Sequence, residues 1–364
     1  MDDRRGGGRR ALIAIVAALL GGAAFLGYRG ELPGWPPFGG GAPETPVTLA
    51  AAPPLDPALV TAVVEPALVH ISASTKPFGL GAAGSGIVLT AGGQVLTSHH
   101  VVKGADTVSV TDVGNGQVYP ATVLGYDSTA DIALLELAGA VDLVTAHIGS
   151  SAGLRLHDEV MAIGNAGGTG GTPTAIAGTI TDLNSTIVAL NSADLTRKSL
   201  TGMLEIAAPV TSGQSGGALA DRDGAVVGVI TAASGEPARE VGRAPNGYAV
   251  PMDTAMRVVR QIRSGTPTDD VHIGPTATLG VLISDAKPSG ARIDVAIYGL
   301  PAHSAGLLDG EVITSVDGRA ITTARALRAA INVRKPDETV RLGVTGAGGA
   351  QRIVSVVLAL GAPN

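Results

Sequence analysis

The sequence contains no cysteine, which excludes a disulfide framework, a thiolate metal site and a cysteine nucleophile, and leaves stability to packing alone. Aromatic residues are scarce too, with three Phe, one Trp and five Tyr in 364 residues. Because Gly, Ala and Val are abundant, the core is expected to consist of small and β-branched side chains, as strand-rich folds permit. Basic charge is also in short supply: 25 Lys plus Arg stand against 31 Asp plus Glu, with no basic run beyond the N-terminus. The chain therefore lacks the electrostatic footprint of a nucleic-acid partner. No group of His, Asp and Glu has metal-ligand spacing and no phosphate-binding loop is evident, so no metal and no other cofactor is expected.

What is present begins with one long apolar run. Ala11 to Tyr28 holds 18 residues without a charge, and a helix of that length rises about 27 Å, close to a bilayer's hydrocarbon thickness. Arg4, Arg5, Arg9 and Arg10 precede it and Arg29 alone follows directly, so residues 1–10 are expected in the cytoplasm and the remainder outside. An uncleaved membrane anchor is favoured over a signal peptide, because the small-residue candidate Gly21-Gly22-Ala23 lies inside the apolar run rather than after it. Residues 29–56, rich in Pro, Gly and Ala, read as a disordered tether.

Asp56-Pro57 then reads as a helix N-cap with proline at the first helical position, opening a short helix that stops before Pro66. A length of 364 residues exceeds the ~250–300 at which single cores stop growing, and two folded domains are expected, 57–265 and 278–362, joined by a hinge at 266–277. Short Val, Ile and Leu runs bounded by Gly, Asn and Asp fill the first domain: 68–73, 86–89, 94–97, 107–112, 117–126, 132–137, 159–163, 175–183, 203–207, 225–231 and 248–251. Met252 to Ser264 returns to helical spacing. Many short strands with few helices predict a mainly β sandwich or barrel. Strand patterns at 279–284, 292–296, 311–316, 339–344 and 351–360 around a helical run at 323–332 predict a separate small α+β unit.

Three segments of the β-rich domain hold the members of a nucleophilic triad in the order His, Asp, Ser, the order of the chymotrypsin double barrel. In Val95-Leu96-Thr97-Ser98-His99-His100-Val101-Val102 a strand runs into a polar turn, and spacing alone leaves His99 and His100 open as the base. In Asp127-Ser128-Thr129-Ala130-Asp131-Ile132 a carboxylate immediately precedes an apolar strand, a half-buried place suited to orienting an imidazole, and Asp131 fits better than Asp127. Most specific is Gly213-Gln214-Ser215-Gly216-Gly217, where glycines allow a sharp turn and the amides of Gly213 and Ser215 can converge on one developing oxyanion.

These segments resemble those of the HtrA/Deg family of bacterial serine proteases. Gly84-Ser85-Gly86, Ile163-Gly164-Asn165, Val226-Val227-Gly228-Val229 and Gly247-Tyr248-Ala249-Val250-Pro251 extend the resemblance in the same order, over about residues 57 to 362. It implies a chymotrypsin-like double β-barrel followed by a PDZ domain, with His100 as base, Asp131 as orienting acid, Ser215 as nucleophile and Gly213-Gln214-Ser215 as the oxyanion segment. The chain departs from the family pattern at Gln214, where Asn or Asp is usual, and at Ala218, where Pro is usual. The loop Ala166 to Pro173 is unusually rich in glycine, which leaves its conformation open.

Pro209 and Val210 on one side and Thr231, Ala232 and Ala233 on the other are the expected specificity walls. None is acidic, so cleavage after small or medium apolar residues is expected rather than after Arg or Lys. Thr278-Leu279-Gly280-Val281, Gly306-Leu307 and Asp309-Gly310-Glu311-Val312-Ile313 resemble a bacterial PDZ domain. That implies capture of a peptide C-terminus by Leu279 and Gly280, strand addition beside Val281, Leu282 and Ile283, and a helix carrying Leu327 closing the groove. The expected partners are thus polypeptide substrates, peptide C-termini, the membrane and, by resemblance, two further copies in a homotrimer. The remaining histidines, His70, His147, His157, His272 and His303, are isolated and read as structural or exposed. Two other functions stay open: a largely latent protease acting as a binding or chaperone module, and a signalling protease with one dedicated substrate.

Overall fold

The computed structural model describes residues 54–74, 81–190, 197–231, 246–346 and 348–363. The apolar run and residues 29–53 of the expected tether lie outside the described residues, whereas the tether's last residues are held, the Leu55 amide donating to Glu159 Oε2 at 3.0 Å; among the described residues no helix is long and apolar enough to cross a membrane. The first ordered element starts where capping chemistry puts it. Asp56 Oδ1 accepts from the amides of Ala58 and Leu59 at 3.0 and 3.3 Å, Pro57 occupies the first turn, and helix α1 (Pro57–Val64) ends before Pro66.

The first barrel is built from β1 (Leu68–Ser74), β2 (Gly81–Val88), β3 (Gln94–Ser98), β4 (Thr107–Asp112), β5 (Val118–Asp127) and β6 (Ile132–Leu137). All pairings are antiparallel in the order β5-β4-β1-β2-β3-β6, and β6 pairs back onto β5 to close the ring. Val69, Ile71, Val95, Val110, Tyr126, Ala133 and Leu135 fill it. The predicted thrift with aromatics is visible at Gly86, where a Cβ would meet Val95 Cγ1 at 2.6 Å.

A second closed barrel runs β7-β8-β9-β12-β11-β10. Its strands are β7 (Glu159–Gly164), β8 (Thr174–Leu190), β9 (Arg197–Ile206), β10 (Ala218–Ala220), β11 (Val226–Thr231) and β12 (Gly247–Pro251). Leu96, Ile132 and Leu134 of the first barrel join Met161, Ile163 and Val229 of the second in one buried cluster, so the barrels meet along an apolar seam. Two connecting elements complete this half: the four-residue helix α2 (His99–Val102) and the amphipathic helix α3 (Met252–Arg263), which buries Ala255, Val258, Val259 and Ile262.

The stretch expected as a hinge carries two short strands. β13 (Val271–Ile273) adds to β5 of the first barrel, and β14 (Thr276–Thr278) pairs with the last strand of the chain. Beyond it, β15 (Val281–Asp285), β16 (Ala291–Ala296), helix α4 (Pro301–Ser304), β17 (Val312–Val316), β18 (Arg319–Ala320), helix α5 (Ala324–Asn332), β19 (Thr339–Thr345), β20 (Gln351–Val357) and β21 (Ala359–Gly361) form a small α+β unit. It has its own core around Ile293, Ile313, Leu327, Leu342 and Val356.

Candidate active site

β3 ends at Ser98 and the chain turns at once into α2, whose first two residues are the two candidate histidines. Asp131, immediately before β6, has φ +57°, a left-handed conformation that costs a non-glycine residue roughly 1–2 kcal/mol. The return on that strain is geometric. Its carboxylate accepts twice from one residue: the His100 amide donates to Oδ1 at 3.0 Å and His100 Nδ1 to Oδ2 at 2.8 Å. With Nδ1 as donor, the unprotonated nitrogen of a neutral His100 is Nε2.

The two histidines that the sequence leaves level have different surroundings. His99 lies 3 % exposed and its Nε2 is buried without a hydrogen-bond partner among the described residues. Its ring stacks on Tyr126 at 4.5 Å, and Tyr126 stacks on His272 at 5.0 Å. Burial drives the His99 pKa down to about 3. His100, whose side chain is 33 % exposed, goes the other way: burial disfavours its cation, but the charge and hydrogen bond of Asp131 outweigh burial and raise its pKa above the usual imidazole value. Burial would likewise raise Asp131, yet His100 and its hydrogen bonds hold the carboxyl below its ordinary range. Lys198, on β9, pulls both histidines downward, with the shift of His99 and against that of His100, and its own pKa is lowered, chiefly by burial.

Ser215 sits 4 % exposed in the turn before β10. The turn is tied across the seam to β2 of the first barrel: the Ser85 amide donates to Ser215 O at 2.8 Å, and Ser85 Oγ donates to Gly213 O at 2.9 Å. Thr97 Oγ1 closes the same patch by donating to Ser85 O at 2.7 Å. From the other side, Ile230 O accepts from the Gly216 amide at 2.7 Å and from Ser98 Oγ at 3.2 Å. Glycine is obligatory at two positions here. Gly213 has φ +91° and a Cβ on it would lie 2.2 Å from Asn165 O, while Gly216 has φ +84° and a Cβ would lie 2.1 Å from Ser85 O. Gln214, fully buried, directs its side chain to brace the loop: Oε1 accepts from the Thr211 amide at 2.9 Å and Nε2 donates to Thr174 O at 3.2 Å. Of the oxyanion segment, Gln214 therefore contributes a strut through its side chain.

The expected specificity walls fare unevenly. Pro209 is exposed and Val210 is half-buried against the second barrel's core. Thr231 is 1 % exposed and its hydroxyl lies 3.5 Å from Asp131 Oδ2. Ala232 and Ala233 lie outside the described residues. In the C-terminal unit β15 is an edge strand, with Leu282 exposed and Val281 and Ile283 half-buried beside α5. Leu279 is buried, and Gly280, at φ +75°, abuts Leu300. Leu327 is 1 % exposed within that unit's core.

Sequence reasoning missed Lys198 and the roles of Tyr126 and His272. Histidine and tyrosine far apart in sequence leave no local pattern that would reveal a stack. Ser85 was visible only inside the Gly84-Ser85-Gly86 resemblance, without its task. Among the described residues no group of His, Asp or Glu is arranged to hold a metal ion.

Residues 84–229 match the trypsin-like peptidase domain, a span that includes His100, Asp131 and Ser215. The serine protease PepD of Mycobacterium tuberculosis is 32 % identical over 366 aligned residues, covering 95 % of this chain and 76 % of that protein. A probable periplasmic serine endoprotease of the DegP-like type from Bartonella henselae is 34 % identical over 74 % of this chain, and the periplasmic pH-dependent serine endoprotease DegQ of Escherichia coli is 29 % identical over 72 %. The aligned part spans 52 % and 56 % of those two proteins. A mainly β trypsin-like fold, the peptidase-domain match and a relative aligned over nearly the whole chain place this protein in the HtrA family of serine proteases.

Proposed function

We propose that the chain is an extracytoplasmic serine endopeptidase in which Ser215 is the nucleophile, His100 the general base and Asp131 the group that orients and charges the base. The observation that supports this most is the double hydrogen bond from His100 to Asp131, on elements packed across the seam from the Ser215 turn. In this reading His100 Nε2 takes the Ser215 Oγ proton as the oxygen attacks a peptide carbonyl. The Gly213 and Ser215 amides stabilise the tetrahedral oxyanion. The imidazolium, steadied by Asp131, then returns the proton to the leaving amine, and water resolves the acyl-enzyme by the same path.

The C-terminal unit reads as a PDZ domain, in which the free edge of β15 adds a strand from a peptide whose carboxylate meets the Leu279-Gly280 turn. Substrates would be unfolded or envelope proteins, cleaved after small or medium apolar residues, and the apolar run 11–28 would hold the protease at the outer side of a membrane. Cleavage of casein by the full chain beside Ser215→Ala and His100→Ala tests the proposal. Loss of cleavage in both variants is expected. Equal cleavage by Ser215→Ala, or an inert parent even with PDZ-binding peptides present, would favour the binding-module alternative.

A further inference from the structure

The glycine-rich stretch after β7 has a specific shape. Gly167, Gly168, Gly170 and Gly171 have φ of +75°, +67°, +74° and +83°, a region that side-chain-bearing residues occupy only at a cost of roughly 1–2 kcal/mol each. The glycines thus permit one particular path, and three contacts hold it. Asn165 Oδ1 accepts from the Gly170 amide at 2.9 Å, the Asn165 amide donates to Ser85 Oγ at 2.8 Å, and His70 Nε2 lies 2.6 Å from Gly171 O. A carbonyl only accepts, so His70 carries its hydrogen on Nε2; its Nδ1 is buried without a partner among the described residues. His70 belongs to β1 of the first barrel and reaches across to a loop of the second.

The inner side of this loop touches the nucleophile turn. The Gly167 amide donates to Ser212 O at 2.7 Å, and a Cβ on Gly213 would meet Gly168 N at 2.5 Å. In a trans peptide the C=O and N–H point in opposite directions. Holding the Ser212 carbonyl against the loop therefore turns the Gly213 N–H away from it. Ser85 Oγ restrains the next carbonyl, Gly213 O, at 2.9 Å, so the peptide that must present the oxyanion donor is held on both sides.

We propose that His70 is a positioning residue for the oxyanion-binding amide of Gly213, acting through its hydrogen bond to Gly171 and the Gly167–Ser212 contact. This rests on the reading of Gly213 as an oxyanion donor given above. Loss of one such donor costs roughly 10²–10³ in kcat. The test compares kcat and KM of the full chain on casein-derived fluorogenic peptides for His70→Ala, His70→Gln and His70→Asn, with Ser215→Ala as control. His70→Ala is expected to lose on the order of 10–100-fold in kcat with KM changed by no more than about two-fold. His70→Gln, whose Nε2 reaches the place of the imidazole donor, is expected to recover most of that loss, and the shorter His70→Asn to behave like Ala. A parent-like kcat in His70→Ala, or equal kcat in Gln and Asn variants, overturns the proposal; the latter contrast also decides if His70→Ala does not fold. Turnover persisting in Ser215→Ala overturns instead the catalytic reading on which it rests.

Discussion

At Asp131 a single carboxylate does three things through its two oxygens: it fixes the imidazole's orientation, selects its tautomer and raises its proton affinity. Asp131→Asn keeps the shape but offers an amide where an anion stood, and should lower kcat by roughly 10³–10⁴-fold with little change in KM, read from steady-state kinetics. In the proposed mechanism His100 must be neutral to act as base, and because its pKa is raised the acid limb of kcat/KM should fall above pH 6.5. Lys198 opposes that rise, so Lys198→Met should move the limb to still higher pH; an unmoved limb would count against its influence. The sequence showed Asp131 and Ser215 through their neighbours, apolar strand on one hand and glycine turn on the other. It left His99 and His100 level, because adjacent residues share their local pattern, and the bonds that single out His100 come from Asp131, in a left-handed turn between β5 and β6.

At the scale of elements, the His99–Tyr126–His272 stack joins α2, β5 and β13. It has a consequence for stability against pH. The His99 pKa in the fold is about 3, below the ~6.5 of an unfolded chain, and His272 is also lowered by burial. As pH falls below about 6.5 the unfolded chain gains protons that the fold refuses, so stability declines from there down to about pH 3. At pH 5 His99 alone should cost about 2 kcal/mol. Urea midpoints measured from pH 7 to 5 should fall less steeply in His99→Phe, which keeps a stacking ring and removes the titration. Parallel slopes for parent and variant would contradict a neutral, buried His99. Elements of this kind were the least legible. β13 has three residues flanked by polar and glycine positions and shows no alternation, whereas β6 and β11 are longer and mostly apolar. β8 runs past its predicted end at Leu183 because register shifts around Asp182 and Ser185 interrupt the alternation.

Over the whole described chain, the C-terminal unit is seated by hydrogen bonds that composition does not announce. β13 continues the first barrel's sheet, His272 Nδ1 lies 2.6 Å from Asn332 O at the end of α5, and the Gly104 amide donates to Pro363 O at 2.7 Å. Amide hydrogen exchange at 271–273 should accordingly be slow, comparable with β5, and His272→Ala should accelerate it. Exchange in the parent at the rate of an exposed linker would restore the hinge that the sequence suggests. The double barrel itself was readable, because eleven apolar runs separated by turn residues leave few alternatives in a chain with so little helix.

The catalytic assignment is tested most directly by labelling the full chain with a fluorophosphonate, which forms a stable bond to an activated serine, and mapping the adduct by peptide mass spectrometry. A single adduct on Ser215, absent in His100→Ala, is the expected result. An adduct on another serine, or equal labelling of Ser215 in His100→Ala, would contradict the pairing of that base with that nucleophile.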